Sequence, residues 1–319
     1  MISLFKQTPE VNFLEKKAIF LIISAIFVGI TAVSFLQKGL SLGLDFKGGT
    51  LVQVLFNEEV DQISLQEKLS QSLGIPVSIR RLGGGDSKEM IISFSESYGK
   101  GLDGDAQVLV KNSLTEQGLD FEIRQVESIG PKMGGELRES AWYSILLSMG
   151  LILLYMTVRF KWYLGIGAIV ALVHDAVVTM GAFSLFNVEF DLTALAGVLT
   201  LLGYSMNDTI VLFDRVRENI VKHPGMKLTA VINLSVNETM SRTILTFATT
   251  FIVIFAMYFF GGESIKGFSF AFLIGLVVGT YSSVFIASPF AIWSLIFFGS
   301  RRAAKRDKTQ SNLIKKPAK

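Results

Sequence analysis

Six stretches of the chain are apolar over about 18 residues or more and nearly free of charge: 18–36, 141–158, 162–186, 192–213, 243–260 and 268–298. Runs of that length match the ~30 Å hydrocarbon core of a bilayer, which an α-helix crosses in about 20 residues. The sixth run exceeds that length, so it is expected to tilt or bend, with Pro289 the natural place. Between the first and second runs the pattern changes. Residues 50–56 alternate as a strand, 63–73 carry apolar residues at helical spacing after Asp61, and 77–82 and 90–94 read as strands around Gly83-Gly84-Gly85. Residues 105–117 then read as a helix stopped by Gly118, and 121–126 as a strand. The order βαββαβ is that of a ferredoxin-like split sandwich. The predicted fold is a polytopic α-helical membrane protein with six transmembrane helices and one external α+β ferredoxin-like domain, 37–139, between the first and second.

Composition agrees with this class: half of the 319 residues are hydrophobic and the mean hydropathy is +0.49. The chain has no cysteine, which excludes a disulfide framework, a Cys-based metal site and a thiol nucleophile. The first run follows Lys6, Lys16 and Lys17 but has no small-residue cleavage site before Lys38, so it reads as a retained anchor.

Charge sets the orientation. The N-terminal segment 1–17, the turn at 159–161, the loop 214–242 leading into the fifth span, and the tail 301–319 share one side. That tail carries eight Lys and Arg against one acidic residue. The loops at 187–191 and 261–267 on the other side hold little positive charge, so both termini are expected in the cytoplasm. Segment 37–139 has 11 Lys and Arg against 16 Asp and Glu, a net of −5, which argues against nucleic acid as a partner. The basic tail reads as an orientation signal and a contact to membrane lipid headgroups.

Against this background Asp208 stands out. It interrupts an otherwise charge-free run of about 20 residues, 194–213, where an ionised side chain costs about 2.5–3.5 kcal/mol near the bilayer centre. Its candidate partner is Arg242, which enters the fifth span from the same side, while Asn207 and Thr209 flank it in sequence. His174-Asp175 in the third span fits a proton relay, a metal pair or a polar packing contact, with packing slightly preferred. With His223 the only other histidine, a His-rich metal site is excluded. No cofactor is expected beyond a coupling ion, H⁺ or Na⁺, since a buried carboxylate serves either. Two glycine-rich segments join the domain to the spans. One holds Asp45, Phe46, Gly48 and Gly49, the other Gly130, Pro131 and Gly134. They read as packing turns and hinges, because the first precedes a strand and has no GxxxxGK[ST] run. No nucleophile, metal cluster or nucleotide loop marks an enzyme.

Three segments in order, GLDFKGGT at 43–50, GYSMNDTIVLFDRVRE at 203–218 and NETMSRT at 237–243, resemble the SecF family. That family forms the smaller membrane subunit of the bacterial SecDF accessory complex of the Sec translocase, in the resistance, nodulation and division superfamily. The resemblance covers residues 1 to about 300. It implies a pseudo-symmetric pairing with a SecD-like six-helix subunit in the bacterial inner membrane. It further implies work beside a SecYEG-like channel and a small accessory membrane subunit, on an unfolded preprotein, while protons enter the cytoplasm. On the same resemblance Asp208 and Arg242 match the family's intramembrane Asp and Arg, and Asp45, Phe46, Gly48 and Gly49 match its external motif. Two other readings stay open: a half-unit of an ion-driven exporter of small apolar molecules, and a non-transporting membrane scaffold.

Overall fold

The computed structural model describes residues 9–82, 88–94 and 106–298. The Gly83-Gly84-Gly85 turn, Asp105 at the start of the predicted helix and the basic tail at 301–319 lie outside the described residues. Helix α1, Lys17–Lys38, leads into a single turn, α2, Leu44–Lys47. A small domain follows: β1, Gly49–Phe56; α3, Gln62–Leu73; β2, Val77–Arg81; β3, Glu89–Phe94; α4, Ala106–Glu116; β4, Phe121–Ile129. Its sheet has the order β2-β3-β1-β4, with every neighbouring pair antiparallel. Alternation decides which face is covered. Val52, Val54, Phe56, Val77, Ile79, Met90 and Ile92 face a core shared with Leu65 and Leu69 of α3 and Val110 and Leu114 of α4. Asp61 caps α3 by accepting from the Ser64 amide at 2.9 Å.

Four longer helices follow: α5, Pro131–Arg159; α6, Trp162–Phe186; α7, Leu192–Lys222; α8, Leu228–Phe260. The last stretch is α9, Lys266–Ser282, continued by a π-helical turn, Ser283–Ala287, and further helix to Phe298. Among the described residues six helices are thus long and apolar enough to cross a membrane. Three of them outrun the apolar windows read from the sequence. The stretch 214–242 is not a loop: α7 continues to Lys222 and α8 begins at Leu228, leaving a turn of five residues at 223–227. Val231, Ile232 and Val236 recur at helical spacing on a buried face of α8, a periodicity that survives among charges and amides. Likewise Gly130-Pro131 and Gly134 are not a free hinge. Gly130 is the N-cap of α5, Pro131 its first residue, and Gly134 lies in its first turns. In the sixth span the irregularity is the π-turn just before Pro289, whose ring cannot sit under a regular i−4 carbonyl.

The bundle is centred on α6, α7 and α9. Its main core gathers Leu164, Leu172, Leu202, Met206, Phe213 and Ile286. Glycine lets α7 and α9 approach closely: a Cβ on Gly197 would fall 2.7 Å from the Phe268 carbonyl oxygen. A separate cluster forms where the small domain meets the bundle, around Phe46, Phe183, Phe190, Ala194 and Phe270.

Candidate functional site

The first part of the site is this junction. Between α2 and β1 the backbone turns through Gly48 at φ 74° and Gly49 at φ 145°, values that favour glycine. The turn presents Phe46 inward, where it is buried and stacks on Phe190 at 6.0 Å. The Gly43 amide donates to the Phe190 carbonyl at 2.8 Å, and the Phe190 amide donates to Ser41 at 2.7 Å, forming a short parallel bridge. Asp45 Oδ2 accepts from the amide of Leu192, the first residue of α7, at 2.9 Å. Asp191, the N-cap of α7, accepts from Ala194 at 2.7 Å. Two carboxylates therefore serve the free amides of one helix end, where the helix dipole favours negative charge. Arg80 of β2 pairs with Glu189 beside the same helix start at 2.6 Å. Gly134 packs against the backbone at Gly48, where a Cβ would stand 2.8 Å from the amide nitrogen.

The second part lies within the bundle on α7. Asp208 is buried and lines a small cavity with Leu212 of the same helix, Val236, Thr239, Met240 and Thr243 of α8, and Ser283 and Val284 of the π-turn. Among the described residues it makes no hydrogen bond, and no ion pair joins it to Arg242. Arg242 is exposed on α8, close enough for its charge to act on Asp208. Thr209 is buried and leans on the Ser205 carbonyl at 3.5 Å, whereas Asn207 is exposed. A step of one residue turns a helix by about 100°, so sequence adjacency to Asp208 carries Asn207 off its face.

The third part joins three helices. Asp175 of α6 has no exposed surface; its Oδ2 accepts from Ser205 Oγ of α7 at 2.5 Å and from Ser282 Oγ of α9 at 2.8 Å, and its Oδ1 lies 3.1 Å from His174 Nδ1. His174 and Asp175, adjacent on α6, are in contact. Ser282 and Ser283 are unflagged by the sequence, since serines in an apolar run look like packing residues. Gly279 permits this meeting, because a Cβ there would stand 2.8 Å from Ser205 Oγ. At the end of the bundle remote from the small domain, Glu238 accepts from Arg215 at 2.7 Å and from Asn219, tying α8 to α7.

A family model described as "Protein export membrane protein SecD/SecF, C-terminal" matches residues 109–295, and one described as "SecD/SecF GG Motif" matches residues 33–60. The chain is 40% identical over 287 residues to the protein translocase subunit SecF of Desulfurispirillum indicum, covering 89% of this chain and 91% of that one. It belongs to the SecF family. The SecF of Haemophilus influenzae is 38% identical over 283 residues, covering 89% of this chain and 86% of its own. Among solved structures, SecDF from Thermus thermophilus, described as a translocon-associated membrane protein, superposes with a TM-score of 0.81 at 31% identity. That match covers 91% of this chain and 40% of the SecDF chain. SecDF in its super-membrane-facing form gives a TM-score of 0.68 at 30% identity, over 95% of this chain and 41% of its own. This SecF-family chain therefore spans about two fifths of the length of those SecDF chains. Its GG-motif match takes in Asp45 and Phe46 of the junction, and its C-terminal match takes in Asp175, Asp208 and Arg242.

Proposed function

We propose that the chain is an auxiliary, non-enzymatic subunit of Sec preprotein translocation that couples H⁺ or Na⁺ flow through the bundle to movement of its small domain. In this reading the βαββαβ unit is a ferredoxin-like domain outside the bacterial inner membrane, and both termini are cytoplasmic. The partners are a SecD-like six-helix subunit, a SecYEG-like channel, a small accessory membrane subunit and an unfolded preprotein. The observation that carries the reading is that one helix, α7, holds both ends of the coupling. Asp45 of the GG segment binds its first amide, and the buried Asp208 lies 16 residues along it.

When Asp208 takes up an ion its charge is neutralised and its attraction to Arg242 ends. The face that α7 presents to α8 and the π-turn can then repack. One charge crossing supplies about 2.3 kcal/mol per 100 mV, enough to shift a two-state equilibrium more than tenfold. Because α7 starts on Asp45, Asp191 and Phe190, a shift of the helix reaches the small domain directly. The test is export into vesicles under an imposed proton gradient, comparing Asp208→Asn with the native chain. Gradient-driven export is expected to fall at least about tenfold; undiminished export sinks the relay. A second reading, a half-exporter of small apolar molecules, has one observation for it: an apolar cavity of about 220 Å³ near Phe35, Phe46, Trp142 and Phe190. That cavity lies beside the largely exposed helices α1 and α5, where a lipid chain fills it equally well.

A further inference from the structure

We propose that His174, held by Asp175, is a second proton-carrying station, set between the small-domain end of the bundle and Asp208. This rests on the reading of Asp208 as an ion carrier and adds a site upstream of it. Three groups converge on Asp175: the Ser205 and Ser282 hydroxyls donate to its Oδ2, and the Nδ1 edge of His174 lies 3.1 Å from its Oδ1. With Nδ1–H directed at Asp175, the neutral imidazole leaves Nε2 as a bare acceptor. That atom is buried and has no partner among the described residues, and the ring is 8% exposed. A packing role accounts for the Nδ1 contact and leaves Nε2 unexplained. A protonation role accounts for both, because a proton added at Nε2 makes an imidazolium whose charge is balanced by the Asp175 carboxylate already in place.

The station is also placed in series with Asp208. Ser205, which donates to Asp175, is three residues before Asp208 on the same face of α7. Ser282 donates to Asp175, and the next residue, Ser283, lines the Asp208 cavity and opens the π-turn, an irregularity frequent at functional sites. Depth gives the order. His174 lies about 18 Å of helix rise from Phe186, and Asp208 about 24 Å from Leu192, the two helix ends beside the small domain. The other charged groups near this centre are Asp208 itself and, beyond it, Arg242 on α8; α1 and α9 carry charge only at their ends. A proton entering from the small-domain side forms the Nε2–H bond. Its release from Nε2 restores the neutral imidazole, and its later uptake by the Asp208 carboxylate gives a neutral acid there, while Nδ1–H stays on Asp175.

The experiment uses the full chain. His223→Gln in the exposed turn leaves His174 as its single histidine, so ¹⁵N-histidine labelling in lipid bilayers reports one ring. The expected result is a ring that takes up a second proton, at Nε2, when an inward proton gradient is imposed. In proteoliposomes holding the complete complex, proton entry by His174→Gln is expected to slow at least about tenfold and to change its dependence on external pH. A ring that keeps one protonation state throughout overturns the proposal, as does a His174→Gln complex with the native rate and pH profile. Asp208→Asn separates the two readings. Retained proton entry overturns the Asp208 relay and the station in series with it; lost entry with a His174 that keeps one protonation state overturns the station alone.

Discussion

Gly134 and Gly135 are neighbours on α5 that should respond oppositely to the same methyl group. At Gly134 an added Cβ stands 2.8 Å from the Gly48 amide nitrogen and 3.3 Å from the carbonyl carbons of Lys47 and Phe46. All three are backbone atoms, held by the positive φ angles of Gly48 and Gly49 and by the buried Phe46, so no side chain can rotate aside. Overpacking of this kind costs about 1–3 kcal/mol. Replacing glycine by alanine in a helix returns about 0.5–1 kcal/mol, so Gly134→Ala should lose up to about 2.5 kcal/mol net. At Gly135 nothing lies within 4 Å, and Gly135→Ala should keep the whole gain. Thermal midpoints of the two purified variants give the signs. Amide hydrogen exchange at 43–50 locates the effect, with faster exchange expected at Gly48 in Gly134→Ala alone. Equal exchange and equal midpoints in the two variants would refute the claim that α5 and the GG segment touch backbone to backbone.

Two further changes test the links on either side of α7. Gly279→Ala should drive Ser205 from Asp175, since its Cβ would stand 2.8 Å from Ser205 Oγ. A loss of about 1–3 kcal/mol is expected, and the smaller Ser205→Gly in the same chain should recover part of it in a thermal unfolding series. Arg80→Glu breaks a pair whose side chains are 43% and 32% exposed, so it should change stability by less than about 1 kcal/mol. If that pair also steers the small domain, gradient-driven export falls in Arg80→Glu and returns when Glu189→Arg is added; a fall without return assigns the loss to Arg80 alone.

How much of this was legible in the sequence depends on the range of each interaction. The strands and helices of the small domain fall where period-2 and period-3.6 patterns place them, and Asp61 caps α3, because those signals are local. The starts of α5 and α8 escaped hydropathy windows because a helix leaving a bilayer keeps its geometry while its composition changes. Asp208 was visible as a charge in an apolar run, yet its neighbours in sequence were a poor guide to its neighbours in space. Asn207 turns away, while Ser283, 75 residues on, lines the same cavity. The Asp175 centre was half legible for the same reason. His174 is adjacent, but Ser205 and Ser282 come from helices 30 and 107 residues distant, and a serine in an apolar run gives no sign of what it faces. The junction is the limiting case. Nothing local in GLDFKGGT says that Asp45 serves the first amide of a helix 147 residues later. Yet that contact turns a glycine-rich connector into one end of a rigid element. With Phe46 locked among Phe183, Phe190 and Phe270, and Gly134 against Gly48, the segment has no slack in which a shift of α7 could be absorbed. In the coupling proposed above, a shift of α7 that starts at Asp208 either moves the small domain or breaks these contacts. Exposing the buried Phe46 costs about 1.5–3 kcal/mol, comparable to what one charge supplies at 100 mV, and the loss of the Asp45 and Gly43 hydrogen bonds adds to that cost.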